Sequence, residues 1–435
     1  VRSISAFRSR QGAWLAAVCA AALCLTNEVA RAQQPTNSVA EASTPNYELD
    51  ATPLPSVPSP GSLNPPWLHV HGFVSQGFIL SLRNNYLAES KSGSFEFSEV
   101  GLNVSADLSQ NLRIGMQLFT RDVGPLGNYT AQLDWFNLDY RFRDWLGIRL
   151  GRTKLPFGLF NETSDIDAAR VPVLLPQSLY PIDHRDFLLA QTGGELYGNV
   201  PLGDAGALEY RAYAGTLFIR PELNPSPFLS VTRFHVPYVY GGRLMWNTPL
   251  EGLQLGGSAQ ALRFDLDYAV ARELWPTLMT TGQVPSDFDG ALRVKFRVKL
   301  WVASLEYAPG DLLLAAEYGR WVGEFDSSVP GIFPARTVNE RAYVMASYRV
   351  RPWFTPGIYY AIYYPNIHDR KGRDSHRNDL AITFRYDVNQ NWLFKLEGHF
   401  MQGTADLDPK LNGGTPVQQL SKDWGVLLLK TTAYF

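Results

Sequence analysis

The chain reads as an all-β protein, a transmembrane antiparallel β-barrel of sixteen strands with its third outer loop folded inward. Three observations predict this. From Trp67 onward, apolar and polar residues alternate with period two in segments of strand length, as in a wall with one face in lipid and one in a polar lumen. The connections between segments alternate between long and short, matching long outer loops and tight inner turns. After the N-terminal region no run of eighteen apolar residues occurs, which leaves a closed barrel as the way to satisfy a backbone inside a bilayer.

Residues 1–32 read as a secretory signal. Arg2, Arg8 and Arg10 form a basic start, Ala13 to Leu25 an apolar core, and Ala30-Arg31-Ala32 a small-x-small cleavage site. That core is about 13 residues long, short of the roughly 20 a spanning helix needs. Both cysteines, Cys19 and Cys24, lie within it. Val18 and Leu23 precede them, so neither sits in a lipoprotein-type box. A mature chain would carry no cysteine, which excludes a disulfide framework and thiol chemistry. Residues 33–66 hold eight prolines, from Pro35 to Pro66, with no periodicity, and read as a disordered periplasmic leader. Residues 67–435 form the expected barrel. A hydrophobic content of 45% with a mean hydropathy of only -0.14 agrees with apolar exteriors alternating with a polar lumen. The net charge of -2 says nothing about partners; no nucleic acid is expected.

The strand-like spans are 68–81, 94–108, 111–121, 129–142, 145–152, 188–200, 206–218, 238–247, 252–264, 294–307, 311–323, 339–350, 353–364, 377–387, 391–402 and 423–435. Tight turns such as Ser109-Gln110, Pro309-Gly310 and Asn389-Gln390 alternate with long connections, the longest being 153–187. An even count places both ends on the periplasmic side. Trp135, Trp145, Trp246, Trp301, Trp321, Trp353, Trp392 and Trp424 fall at or near strand ends, where aromatic girdles are expected. The fourth strand does not phase cleanly: Leu133 and Trp135 compete with Phe136 and Leu138, a slip that a bulge would explain, and Asp134 is left unassigned to either face.

The last strand alternates Leu427, Leu429, Thr431 and Ala433 against Leu428, Lys430, Thr432 and Tyr434, and ends in Phe435. A terminal Phe resembles the sorting signal of bacterial outer-membrane barrels, which implies recognition by the barrel-assembly machinery. The fifth strand leaves through Leu150-Gly-Arg152-Thr-Lys154-Leu-Pro156-Phe157-Gly158-Leu-Phe160-Asn161-Glu162. This stretch, with Tyr240-Gly-Gly-Arg243-Leu and Gly252-Leu-Gln-Leu-Gly256, resembles the phosphate-selective porin O and P family. The resemblance implies an outer-membrane porin of a Gram-negative bacterium, a homotrimer, and a third loop that narrows the channel. The family's phosphate site depends on a dense arginine ladder. Here the basic residues are mixed Lys and Arg with acids interspersed.

A loop of 35 residues (153–187) in a compact barrel needs a function. Its apolar stretches favour packing against the wall, and it brings Arg152, Lys154, Pro156, Phe157, Arg170, Asp183 and Arg185 to an expected constriction. The clearest charge row lies on the tenth strand, where Lys295, Arg297 and Lys299 alternate with Val294, Phe296, Val298 and Leu300. A charge facing lipid at the midplane costs about 2–4 kcal/mol, so the three cations are expected inside. The same parity turns in Arg113, Arg121, Arg149, Arg211, Arg243, Arg341, Arg349, Arg385, Lys395 and Lys430, against fewer acids: Glu99, Asp107, Glu209, Glu317, Asp387 and Glu397. A basic passage concentrates anions. The expected function is a water-filled porin for small hydrophilic solutes with a preference for anions, phosphate among them. The alternative is a general or substrate-specific porin for neutral solutes or carboxylates. No enzyme activity, cofactor or metal is expected: among seven histidines only His69 and His71 are closely spaced, and two ligands make no site.

Overall fold

The structure, a computed structural model, describes residues 65–435 apart from 184, 219–228, 281, 283 and 330–335. The expected signal and nearly all of the expected leader lie outside the described residues. Among those described, sixteen strands run in order: β1 (Leu68–Leu82), β2 (Phe97–Asp107), β3 (Leu112–Val123), β4 (Gln132–Arg143), β5 (Leu146–Lys154), β6 (Ala190–Pro201), β7 (Ala207–Thr216), β8 (Leu229–Asn247), β9 (Leu253–Val270), β10 (Ala291–Tyr307), β11 (Leu312–Ser327), β12 (Arg336–Tyr348), β13 (Phe354–Tyr364), β14 (Arg377–Asn389), β15 (Trp392–Gln402) and β16 (Asp423–Tyr434). Each pairs antiparallel with its neighbours, and β1 pairs with β16 to close the barrel. We call the long connections L1 to L8; L1 is 83–96, L3 is 155–189, L5 is 271–290, L7 is 365–376 and L8 is 403–422.

The seam shows how local sequence serves closure. Phe435 and Gly72 exchange backbone hydrogen bonds of 3.0 and 3.1 Å. A Cβ on Gly72 would stand 2.7 Å from the Phe435 ring, so glycine there leaves the terminal aromatic its seat across the join.

The exterior follows the period-two pattern. Ile114, Met116 and Leu118 on β3 and Leu133, Phe136 and Leu138 on β4 all point outward. The bulge on β4 is present: Gln117 pairs with Trp135 and Leu118 with Leu133, so Asp134 is skipped in the register with β3. One inserted residue lets Leu133 and Phe136 share the apolar exterior while Asp134 and Trp135 both turn inward. Trp145, Trp246, Trp353 and Trp392 are exposed at the turn end of the barrel, as a girdle requires. Trp135, Trp321 and Trp424 are buried inside instead. Position near a strand end did not distinguish them, because inward and outward phases both occur there.

The wall is uneven in height. β8 to β11 continue 3 to 9 residues past the outer ends expected from the sequence, with β9 18 residues long. A strand of that length reaches roughly 60 Å, whereas about 9–11 tilted residues cross a bilayer. Its outer part therefore stands above the membrane. There the inner face is apolar (Leu262, Phe264, Leu266, Val294, Phe296, Val298) and packs against Phe187 and Leu188 of L3.

Candidate functional site

The site is the lumen and the loop that fills it. L3 is entered through Lys154, whose Nζ donates to the Glu162 carbonyl (2.6 Å) and to Asp165 (2.7 Å). Asn161 ties the two ends of the loop together by donating to the carbonyls of Leu155 and Leu188. The loop then crosses to the far wall. The backbone N–H groups of Gly158 and Leu159 donate to Ser258 on β9 and Glu317 on β11. Those of Val173 and Leu174 donate to Glu397 on β15 at 2.7 and 2.9 Å. Buried polar backbone must find partners, and inward carboxylates supply them.

Glu317 gathers further donors: Tyr180 of L3, Ser304 (2.5 Å) and Tyr343 (2.8 Å). Gly158 has φ +64, and a Cβ there would meet Tyr180 Oη at 2.4 Å and Glu317 Oε1 at 2.9 Å, so this position needs glycine. Glu397 is held by Thr383 and by His399 Nε2 (2.9 Å), while His399 Nδ1 faces Asp379 at 2.9 Å. Arg341 lies 3.6 Å from the centre of the Trp321 ring and donates to the Ser178 carbonyl of L3 at 2.7 Å.

Two charge ladders flank the loop. On one side Asp139, Arg149, Glu195, Arg211, Glu162, Arg243 and Glu209 alternate in sign, with successive distances of 2.7, 3.4, 2.5, 2.8, 3.0 and 2.7 Å. On the other, Asp167 of L3 meets Lys395 (3.0 Å), Lys430 (3.4 Å) and Thr432 (2.8 Å), and Lys430 continues to Glu99 (2.6 Å). Burial pushes the Asp167 carboxyl up, but Lys395, Lys430 and Arg170 outweigh it and hold it well below the usual carboxylate range. Burial likewise opposes ionisation of Glu162, yet Arg211, Arg243 and Arg149 bring it down to about 2.

Nine of the cations expected to line the pore face inward: Arg113, Arg121, Arg149, Arg211, Arg243, Arg341, Arg385, Lys395 and Lys430. Each is matched to a carboxylate or to an L3 carbonyl; Arg385, for instance, binds Asp387 and the carbonyls of Ala168 and Arg170, and Arg113 lies 3.7 Å from Asp107. In the loop, Pro156 and Phe157 are buried packing residues. Arg170 donates to the Ser164 carbonyl. Arg185 bridges Asp134 (3.1 Å) and Asp165 (2.8 Å). Asp183 borders a small cavity with Tyr86 and Arg377.

Other placements depart from expectation. Arg152 pairs with the outward Phe136 and donates to the Asp134 carbonyl at 2.5 Å, so it belongs to the wall and not to the constriction. Arg349 sits at an exposed turn 3.7 Å from Asp311. Lys295, Arg297 and Lys299 do not line the lumen. On β10 the inward phase is that of Ser304, which reaches Glu317, and it continues through Val302, Leu300, Val298, Phe296 and Val294. The three cations share the outward phase with Trp301 and Leu305. Parity assigned them inside on the cost of a charge in lipid. They escape that cost by lying on the extended outer part of β10, above Trp301, where it falls toward zero.

Sequence reasoning missed Asp139, Glu195, Asp379, Arg377 and His399. Glu195 alternates with Gln191 and Tyr197 on β6, a signal that was available. The pairing of His399 with Asp379 depends on the register between β14 and β15, which no single strand reveals.

No protein-family model matches the chain, and no curated protein sequence matches it. Solved structures do. The chain is similar to the outer-membrane expressed OmpT of Vibrio cholerae at 10% identity, covering 85% of this chain and 97% of that one, with a TM-score of 0.52. It is also similar to an anion-selective porin from Comamonas acidovorans (13% identity, 85% and 99% covered, TM-score 0.48) and to the outer membrane channel DcaP of Acinetobacter baumannii (12%, 85% and 97%, TM-score 0.46). Identities this low speak of architecture only: the chain has the closed-barrel fold of outer-membrane proteins.

Proposed function

We propose that the protein is an outer-membrane porin through which small hydrophilic solutes diffuse passively, with little preference between anions and cations. The observation that carries this reading is the pairing of lumen charge. The first ladder holds three arginines among four carboxylates, and the inward cations on the opposite side are tied to Asp167, Glu99, Asp387 or loop carbonyls. Paired charges hold water and set a transverse field without a net potential along the pore. The anion preference expected from the sequence loses its main support with the outward row on β10. Phosphate selectivity would need inward arginines with donors to spare, whereas Arg211 and Arg243 both engage Glu162. Assembly as a homotrimer, and insertion through the barrel-assembly machinery by way of β16 and Phe435, belong to the same proposal. Planar-bilayer recordings of the purified protein test it. The expected result is stepwise conductance with a reversal potential near zero in a KCl gradient. Absence of conductance defeats the porin reading, and a strongly anionic reversal potential restores selectivity.

A further inference from the structure

We propose that the outer wall between β10 and β13 is a binding site for a phosphorylated, multi-acylated glycolipid of the outer leaflet. The inference rests on the outer-membrane reading above. It joins two features of the exterior that the pore does not use.

The first is cationic. Lys299 and Arg297 are 65% and 47% exposed on the outward face, and Arg320 on β11 stands directly across from Trp301. The carboxylate nearest the two β10 cations, Glu324, lies 3.7 Å from Arg297 and 3.8 Å from Lys299. These are long approaches that leave hydrogen-bond donors directed outward. Trp301 and Tyr318 pack with tilted rings 5.7 Å apart just beneath and mark the membrane boundary. The cations therefore sit at headgroup height.

The second feature is apolar and lies directly below. A groove of about 430 Å³ crosses the lipid face, floored by Ala303, Ala316 and Ala342 and walled by Leu305, Val344 and Tyr360. The register sets these residues side by side: Leu305 opposite Ala316, Ala316 opposite Val344, Val344 opposite Tyr360. Ala303 and Ala342 flank Tyr318 in one row and Ala316 lies between Leu305 and Val344 in the next; these staggered small residues lower the wall between larger neighbours and make a slot for an acyl chain. Ala303 is four residues below Lys299, about 13 Å along the strand. Phosphate donors above, an aromatic collar, and a chain-wide slot below match one lipid in its bilayer orientation.

The test uses the full barrel in phosphatidylcholine nanodiscs carrying bisphosphorylated lipid A, or the same lipid after phosphatase treatment, with bound lipid quantified by native mass spectrometry. Wild type is expected to retain the phosphorylated lipid. Arg297→Glu/Lys299→Glu/Arg320→Glu should weaken retention by about tenfold to hundredfold, and phosphatase treatment should do the same to wild type. Ala316→Trp fills the slot with the cations intact and should also reduce retention. Heat-modifiable gel mobility shows that each variant is folded. Equal retention by wild type and the charge-reversed variant, or indifference to phosphate, overturns the proposal. So does a change in oligomeric state without a change in lipid retention, which would make this face a contact between copies. Single-channel conductance of the same samples reports on the porin reading separately, because every substituted residue is outside the lumen.

Discussion

Replacing Asp167 by Asn should release the tip of L3 from the barrel wall. Asp167, Lys395 and Lys430 have fully buried side chains, and the carboxylate meets both lysines within 3.4 Å. An amide keeps the shape and the bond to Thr432 but removes the charge. Lys430 then retains Glu99 at 2.6 Å, whereas Lys395 is left with the carbonyls of residue 167, Arg170 and Pro172. Leaving a buried ion without its partner costs roughly 3–5 kcal/mol, which multiplies the population with a detached loop by about 10² to nearly 10⁴. Single-channel recording should show higher or noisier conductance. Hydrogen exchange should quicken at Val173 and Leu174, whose N–H groups are bonded to Glu397 in the pinned loop. Lys395→Met added to Asp167→Asn should cost less than the sum of the two single changes, because it removes the stranded cation. The pH dependence has a definite sign. The folded-state carboxyl is depressed, so its contribution is complete above the ordinary Asp value of about 3.9 and is lost only as pH falls through the lower folded value. The Asp167 carboxyl therefore adds no pH dependence of its own above about pH 4. Identical conductance and exchange in the two proteins would refute the idea that this anchor holds the loop.

Further outcomes follow from the same geometry. Gly158→Val places a branched side chain at φ +64 against Tyr180 and Glu317 and should cost about 1–3 kcal/mol, read as a lower melting temperature and a looser L3. Lys295→Glu/Arg297→Glu/Lys299→Glu should leave the reversal potential unchanged even in dilute salt, since the row lies on the outer face; a cationic shift would put it back in the pore. Arg243→Glu adds a carboxylate beside Glu162 and Glu209 and should shift permeability toward cations, most clearly below about 0.1 M salt, where screening is weak. Arg243→Gln should shift it in the same direction by about half as much.

Strand number, closure and the alternation of long and short connections were legible in the sequence, because a bilayer imposes period two on any wall that crosses it. Even the fault in β4 was visible as a broken phase around Asp134, since an inserted residue must shift one side chain to the other face. Charge placement was legible only where that rule applies. Arg149 and Lys430 lie well inside their strands, so lipid on one side forces them to the other. The rule lapsed on the outer half of β10, which meets water outside and an apolar loop inside. There the local pattern inverts: Phe296 and Val298 turn inward to L3, and Lys295 and Arg297 turn out.

The sequence by itself determined a barrel, its strand order and a long third loop with both charges and apolar patches, for all of these are periodicities or lengths along one chain. Only the tertiary structure decided which carboxylate answers which cation. Asp167 meets Lys395 and Lys430 from more than 200 residues away, and Glu162 lies between Arg211 and Arg243, because L3 crosses the lumen and the register brings opposite walls to it. Net potential in a pore depends on those pairings and not on the number of basic residues, which is why selectivity could not be read before the loop was in place.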